Sequence, residues 1–427
     1  MEGFQLELKG FLDDSPSVYH AVEALRQSLE RHDYIRLEES KAWELEPGGQ
    51  YYLTRGGSAL VAFRIPRERP LGFMISASHS DRPTFKLKEN GELTGRYTRL
   101  ATEKYGGMLI APWLDRPLSV AGRVLVETEE GIRSRLLNID RDLLLIPNLA
   151  IHMNRGANEN QSWNPAVDTL PLVGSEEAKG KLWALLEEEA GGKILGHDLY
   201  LYVRQPAVTW GLEGNYISAA GLDDLMCAWC CTRGFLVAED NRSIPVLSVF
   251  DSEEVGSSSV QGAASTLLED VLARIAGGLQ MDLRGMLRNT LLLSADNAHA
   301  LHPNHPEYSD ANNAPILGGG VVLKFNSNLR YTTDGVSAAL LRRLCQKADA
   351  PVQTYYNRAD LPGGSTLGNI SLSHVSVLSA DIGLAQLAMH SCYETADSRD
   401  AAAMCRVMEA FYGSALEQLE DGDYRLL

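Results

Sequence analysis

No stretch of the 427-residue chain reaches the ~18 consecutive apolar residues of a membrane-spanning helix, so no span is expected. The opening residues, MEGFQLELKGFLDD, lack a basic start followed by an unbroken apolar stretch, which argues against a secretory signal and leaves the cytosol as the expected location. Cysteine is scarce and unevenly placed. Cys227, Cys230, Cys231, Cys345, Cys392 and Cys405 lie mostly inside helical patterns, as reduced core thiols do, and form no disulfide framework. Three of them crowd into MCAWCC, but no second Cys/His pair follows at zinc spacing, so no cysteine metal site is expected there. Basic residues are outnumbered 39 to 56 by acidic ones, for a net charge of −17. Without a basic stripe to meet phosphates, a nucleic-acid partner is excluded. Internal repeats and low-complexity tracts are missing too.

What the chain does have is length for a large core and 44% hydrophobic residues in an α/β rhythm. DDSPSVYHAVEALRQSLE reads as a docked helix, with Ser15 as cap, Pro16 in the first turn, and Val18, Val22, Leu25 and Leu29 on one apolar face. The β-like runs QYYLTRGGSALVAFRI and LGFMISASH follow, the first folded at Gly56 and Gly57 as a hairpin. From about residue 87 to 216, short strands and turns alternate around one acidic helix, SEEAKGKLWALLEEEA, which reads as a β-rich insertion. The α/β rhythm then returns: a helix near Asp224, a strand IPVLSVF, a helix after Gly262, a strand NTLLLSAD, and a long helical stretch from about Asp397. The expected architecture is one α/β domain from both ends of the chain, interrupted by a second domain.

Three apolar runs end in ionisable groups: MISASHSD at His79 and Asp81, PVLSVFDSEEVG at Glu253 and Glu254, and LLLSADNAHALH at Asp296. Ligands of open α/β sheets bind at the carboxyl ends of strands, so these endings point to one shared site. GLDDLMCAW adds Asp223 and Asp224, and LAMHSCYET adds His390. Taken singly, each has a plainer reading: a helix cap for the aspartates, a solvated loop for the glutamates, a bonded core imidazole for the histidines. Taken together, they form a mixed imidazole and carboxylate set that suits zinc best, with cobalt or manganese as substitutes. Of two adjacent glutamates, one can ligate while the other acts as general base, and a shared aspartate can bridge two ions.

SASHSDRP, GLDDL, FDSEEVGSSSVQGA, SADNAHALHPN, LPGGSTLGNI and GLAQLAMHS occur in this order, and the chain resembles the aspartyl aminopeptidase family over essentially its whole length, including EKYGG and PWLDRPLSVAGRV. The resemblance implies an α/β/α sandwich catalytic domain of the metal-dependent exopeptidase type in segments 1–86 and 217–427, interrupted by a β-rich dimerisation domain at 87–216. It implies two divalent ions per subunit, most readily zinc. His79 and Asp296 match ligands of the first, Glu254 and His390 of the second, and Asp223 the bridge; Asp224 matches a non-ligand. Asp81 matches the residue that orients His79, and Glu253 the general base. Substrates would be peptides, cleaved after an acidic N-terminal residue whose side chain meets Lys324, with His302 near the same pocket. The family's assembly, a dodecamer built from dimers, implies that His152 reaches a neighbouring subunit's site. The same ligands would serve an aminopeptidase of neutral preference, or a related deacylase or carboxypeptidase. A silent scaffold would have no reason to keep all five ligands together with Glu253.

Overall fold

The run GFMISASH forms the strand Gly72–His79, buried along its whole length, as a strand covered on both faces must be. The computed structural model describes all residues except 362 and 365, so those two positions of the LPGGSTLGNI motif lie outside the described residues. Gly72–His79 is the fifth strand of a nine-stranded sheet, ordered Ile35–Arg36, Gln50–Arg55, Ala59–Arg64, Ser243–Phe250, Gly72–His79, Leu291–Ala295, Leu378–Gly383, Val321–Phe325, Val352–Tyr356. Ser243–Phe250, Gly72–His79, Leu291–Ala295 and Leu378–Gly383 are mutually parallel. Their carboxyl ends therefore open along one edge, with Phe250 in register with His79.

Alternation along these strands feeds two cores. Leu60, Ala62, Met74, Leu247 and Leu293 face one side, where Ala21, Val22, Leu25 and Leu29 of the helix Val18–Glu30 meet them together with Leu222–Val237 and Ser398–Tyr412. Val61, Phe63, Phe73, Ile75 and Val246 face the other, beneath Leu268, Val271 and Ile275 of Leu267–Gly278. Each fully buried side chain of this size contributes ~1.5–3 kcal/mol. The helix Leu222–Val237 is apolar nearly all round and buried nearly end to end, and it carries Cys227, Cys230 and Cys231 as free thiols.

The β-rich part is a six-stranded antiparallel sheet that begins at Thr84, with Gly131–Asn138 and Leu172–Ser175 as its edges. Its own core packs Phe85, Val120, Val124 and Leu199 against Leu182, Leu186 and Ala190 of the helix Lys181–Ala190. A third, five-stranded sheet links Val208–Trp210, Tyr216–Ala219, Glu394–Asp397, Ala385–Leu387 and Ala298–His299.

Two local expectations change. The first-turn reading of Ser15 and Pro16 gives way to a helix starting at Val18 behind Ser17, because Ser15 Oγ donates back to the Phe11 carbonyl at 2.7 Å and closes a preceding helix, Glu2–Asp13. The helical stretch from Asp397 ends at Tyr412, and the chain finishes in a hairpin, Leu416–Glu420 with Asp423–Leu426.

Gly234 marks where Leu222–Val237 and Ser398–Tyr412 touch most closely: a Cβ there would lie 2.5 Å from Met408 Cβ and 2.7 Å from the Glu409 nitrogen. Gly234→Ala should lower unfolding free energy by about 1–3 kcal/mol through overpacking, measured as a fall in the urea midpoint at unchanged slope.

Candidate metal centre

Each expected ligand reaches the same edge of the main sheet by a different route. His79 ends its strand, Glu253 and Glu254 sit in a single 3-10 turn just beyond Ser243–Phe250, and Asp296 follows Leu291–Ala295. Asp223 lies at the start of its helix with non-helical backbone (φ −85°, ψ 108°), and the helix start carries no side-chain cap hydrogen bond among the described residues. His390 occupies the loop between Ala385–Leu387 and Glu394–Asp397, strands that pair with each other, and the second of them pairs with Tyr216–Ala219, which leads into Asp223.

The oxygens of Asp223 face opposite ways. Oδ1 is 3.6 Å from His79 Nε2, and Oδ2 is 3.6 Å from His390 Nε2, which also lies 3.4 Å from Glu254 Oε2. Ligand atoms of His79, Asp223, Asp224 and Asp296 lie within 4.8 Å of one another, as do those of Asp223, Glu254 and His390, and those of His79, Glu253 and Glu254. Asp223 is common to the first two groups. Asp224, read from sequence as a bystander, accepts the His79 backbone N–H at 3.2 Å through Oδ2 while its Oδ1 has no hydrogen-bond partner among the described residues.

Two buried carboxylates hold this arrangement. Asp81 lies against His79 Nδ1, with its backbone carbonyl oxygen at 3.1 Å and its carboxylate Oδ1 at 3.3 Å. It also accepts the backbone N–H groups of Glu253 and Glu254, each at 3.1 Å, and thereby pins the glutamate turn. Glu394, which the sequence reading passed over, accepts the N–H of Asp223 at 3.0 Å and of His390 at 2.7 Å. Its one signal in the sequence was its place four residues beyond His390. Asn297 ties the Asp296 segment to the Asp223 helix by donating to the Leu222 carbonyl at 2.8 Å.

So many acids in so small a volume change their own protonation. Burial pushes Glu253 up to about 8, with Asp296, Asp81 and Asp223 adding to the shift and His79 opposing it. Burial raises Asp296 to about 6 against the pull of Lys324, and it drives Glu254 well above the usual range. Burial alone would raise Asp223, but the His390 and His79 imidazoles beside it outweigh burial and hold its carboxyl low. The His79 imidazole shifts well upward: burial opposes, and Asp223 and Asp81 win. Buried oxygens of Asp223, Asp224 and Glu254 lack hydrogen-bond partners among the described residues. Orphaned carboxylate oxygens facing imidazole nitrogens are what a divalent cation satisfies, and the mixed nitrogen and oxygen donors fit zinc first.

The remaining expected residues lie around this centre. Lys324 is buried at 1% exposure, and its Nζ donates to the carbonyls of Asp296 (2.7 Å) and Asn297 (3.2 Å), 3.9 Å from Asp296 Oδ1 and over the face of Tyr331. It thus braces the Asp296–Asn297 segment. His302 is exposed and lines a cavity of about 420 Å³ with His299, Tyr355, Gln386 and Met389. His152 is not brought to the centre by its own chain's ligand groups; it is exposed in the turn-rich segment 147–170.

A buried imidazole and carboxylate cluster at the carboxyl ends of parallel strands is the mark of metal-dependent hydrolases. The family model for aminopeptidase I zinc metalloproteases (M18) matches residues 11–412, and the chain belongs to that family. It is 39% identical over 426 residues to the M18 family aminopeptidase 2 of Clostridium novyi (strain NT), spanning 96% of both chains. To the protein of the same description from Pseudomonas paraeruginosa (strain DSM 24068 / PA7) it is 41% identical over 418 residues, spanning 95% of this chain and 97% of that one. Its fold matches the S. cerevisiae mApe1 dodecamer with a TM-score of 0.85 at 27% identity over 96% of both chains. The chain is accordingly a metallo-aminopeptidase, a hydrolase of the zinc metalloprotease class, as the ordered motifs implied.

The protonation pattern has a measurable sign. Glu253, Glu254 and Asp296 have folded pKa values above their ordinary ones, so the folded state holds more protons than the unfolded one between about pH 5 and 8. The raised His79 adds a contribution that fades as pH climbs. Stability of the metal-stripped chain should therefore fall from pH 5 to pH 8. Thermal melts across this range should show the decline, and Glu253→Gln should make it shallower; a flat profile would contradict the charge crowding.

Proposed function

We propose that the protein is a two-metal aminopeptidase that removes acidic residues from peptide N-termini, with Glu253 as general base. The observation that carries this reading is the division of the Asp223 carboxylate between His79 and His390. His79 and Asp296 would hold one ion, Glu254 and His390 the other, with Asp223 bridging. When bound, the ions supply Lewis acidity and bring the pKa of a water toward neutrality. Glu253, in the turn fixed by Asp81, takes the proton from the attacking water and delivers it to the departing amine. A pKa of about 8 in the metal-free site would fall once cations replace the missing positive charge, leaving Glu253 ionised and ready to accept.

Acidic preference rests on Lys324. Every other charged group of the ligand cluster is a carboxylate or an imidazole, so a substrate carboxylate needs this cation, which has a third N–H beyond the two bonded to carbonyls. His302 would border the same pocket. The proposed division is a catalytic unit at 1–86 and 217–427 and a dimerisation unit at 87–216. Exposed Leu149, Ile151, Met153 and Val167 around His152 support the segment 147–170 as an interface in a homo-oligomer, up to a dodecamer, where His152 completes a neighbour's site. Free cysteines throughout agree with a cytoplasmic location.

Aspartyl, glutamyl and leucyl chromogenic amides test the reading. Glu253→Gln should lose about 10²–10⁴-fold in kcat while retaining its metal. Lys324→Met should lower kcat/KM for the acidic amides far more than for the leucyl one. Unchanged turnover in the first variant, or an unchanged substrate ratio in the second, would contradict the respective assignment.

A further inference from the structure

Building on the two-metal reading, we infer that the segment Tyr105–Leu109, supplied by the β-rich unit, is a strap that positions Glu254 and His390, so that one of the two ion sites is completed from outside the catalytic sheet. Four contacts along five residues carry this. Tyr105, the last residue of the strand Tyr97–Tyr105, donates its hydroxyl to Asp81 Oδ2 at 2.8 Å, the same oxygen that accepts the Glu254 backbone N–H. Gly106 adopts φ +74° and lies so close to Glu254 that a Cβ would sit 3.1 Å from Glu254 Cβ, 3.3 Å from its carbonyl oxygen and 3.5 Å from Oε2. Gly107 follows against the imidazole, its Cβ position 3.9 Å from His390 Nδ1. The Leu109 N–H then donates to the His390 carbonyl at 3.0 Å.

The strap acts chiefly on one side, although Tyr105 also reaches His79 through Asp81. His79 is held by Asp224 and Asp81, and the Asp296 backbone by the Ile382 carbonyl, all elements at the edge of the catalytic sheet. His390 needs outside support because it sits on a loop with φ +66°, a backbone state a non-glycine residue adopts only when its surroundings hold it there. Glu254 needs it because its turn is anchored through backbone N–H groups while its carboxylate oxygen Oε1 has no hydrogen-bond partner among the described residues. The left-handed backbone at Gly106 lets the strap pass flush against the glutamate, and a side chain there would push either the strap or Glu254 away. The residues that couple the two units therefore act through Glu254 and His390, and the occupancy of their ion depends on how the β-rich unit is seated.

The test is a cobalt(II) titration of the chelator-stripped full-length chain, followed by visible absorption, with the melting temperature as a check on folding. The unsubstituted chain should take up two equivalents. Gly106→Ala should weaken one equivalent, and only one, by about 10–100-fold, the usual penalty for disturbing the groups that orient metal ligands. Tyr105→Phe, which removes one hydroxyl without adding bulk, loosens an Asp81 that serves His79 as well as the glutamate turn, so it should weaken the same equivalent most and the other less, and it decides the matter if Gly106→Ala fails to fold. Gly95→Ala, at the tip of the same hairpin with no atom nearer than 3.9 Å, should bind both equivalents as the unsubstituted chain does. Two equivalents of unchanged affinity in Gly106→Ala and Tyr105→Phe would overturn the strap, as would equal weakening of both. A single equivalent in the unsubstituted chain would instead overturn the two-metal reading, and the strap with it.

Discussion

Negative charge gathered out of water is the constraint on which the rest of this structure depends. Asp223, Asp224 and Asp296 are all less than a tenth exposed, Glu253 and Glu254 stand beside them, and the facing cationic groups are few: His79, His390 and the buried Lys324. Left alone, such a group of acids binds protons, as the raised Glu253, Glu254 and Asp296 show. On the proposed reading, divalent ions would displace those protons, and the same carboxylates would serve as ligands and base. The fold has to hold mutually repelling groups in place until the ions arrive.

It does so with backbone hydrogen bonds to two further carboxylates. Asp81 fixes the glutamate turn and lies against His79 Nδ1, while Glu394 fixes the backbones of Asp223 and His390. Each therefore locks a pair of segments that are distant in sequence and adjacent in space. The parallel strands set the coarse positions, and these bonds set the fine ones. The small five-stranded sheet has a similar part, since pairing Tyr216–Ala219 with Glu394–Asp397 carries the approach to Asp223 and the return from His390 side by side. Metal sites depend as much on such outer groups as on the ligands themselves.

How much of this could be read from residues alone depended on where each residue sits. His79, Glu253, Glu254 and Asp296 directly follow apolar strands, where an ionisable group is anomalous, and the anomaly was visible. Asp223 looked like a helix cap, and only its non-helical backbone separates the two roles. His390 projects from a loop between short strands and carried no periodic signal; the ordered motifs of the family supplied it. Glu394 and Tyr105 were not legible, because their partners, Asp223 and Asp81, lie on other elements and hydrogen bonding leaves no pattern in composition or spacing. The apolar strands of the α/β rhythm were plain as runs, whereas the helix Glu2–Asp13 and the final hairpin were missed because their short, mixed patterns resemble loop.

Anomalous diffraction at the zinc edge from zinc-loaded crystals tests the central claim most directly. Two peaks should appear about 3.5–4 Å apart, one on each side of the Asp223 carboxylate. The first should contact His79 and Asp296, the second Glu254 and His390. A single peak, or a pair in which Asp223 touches only one ion, would contradict the account.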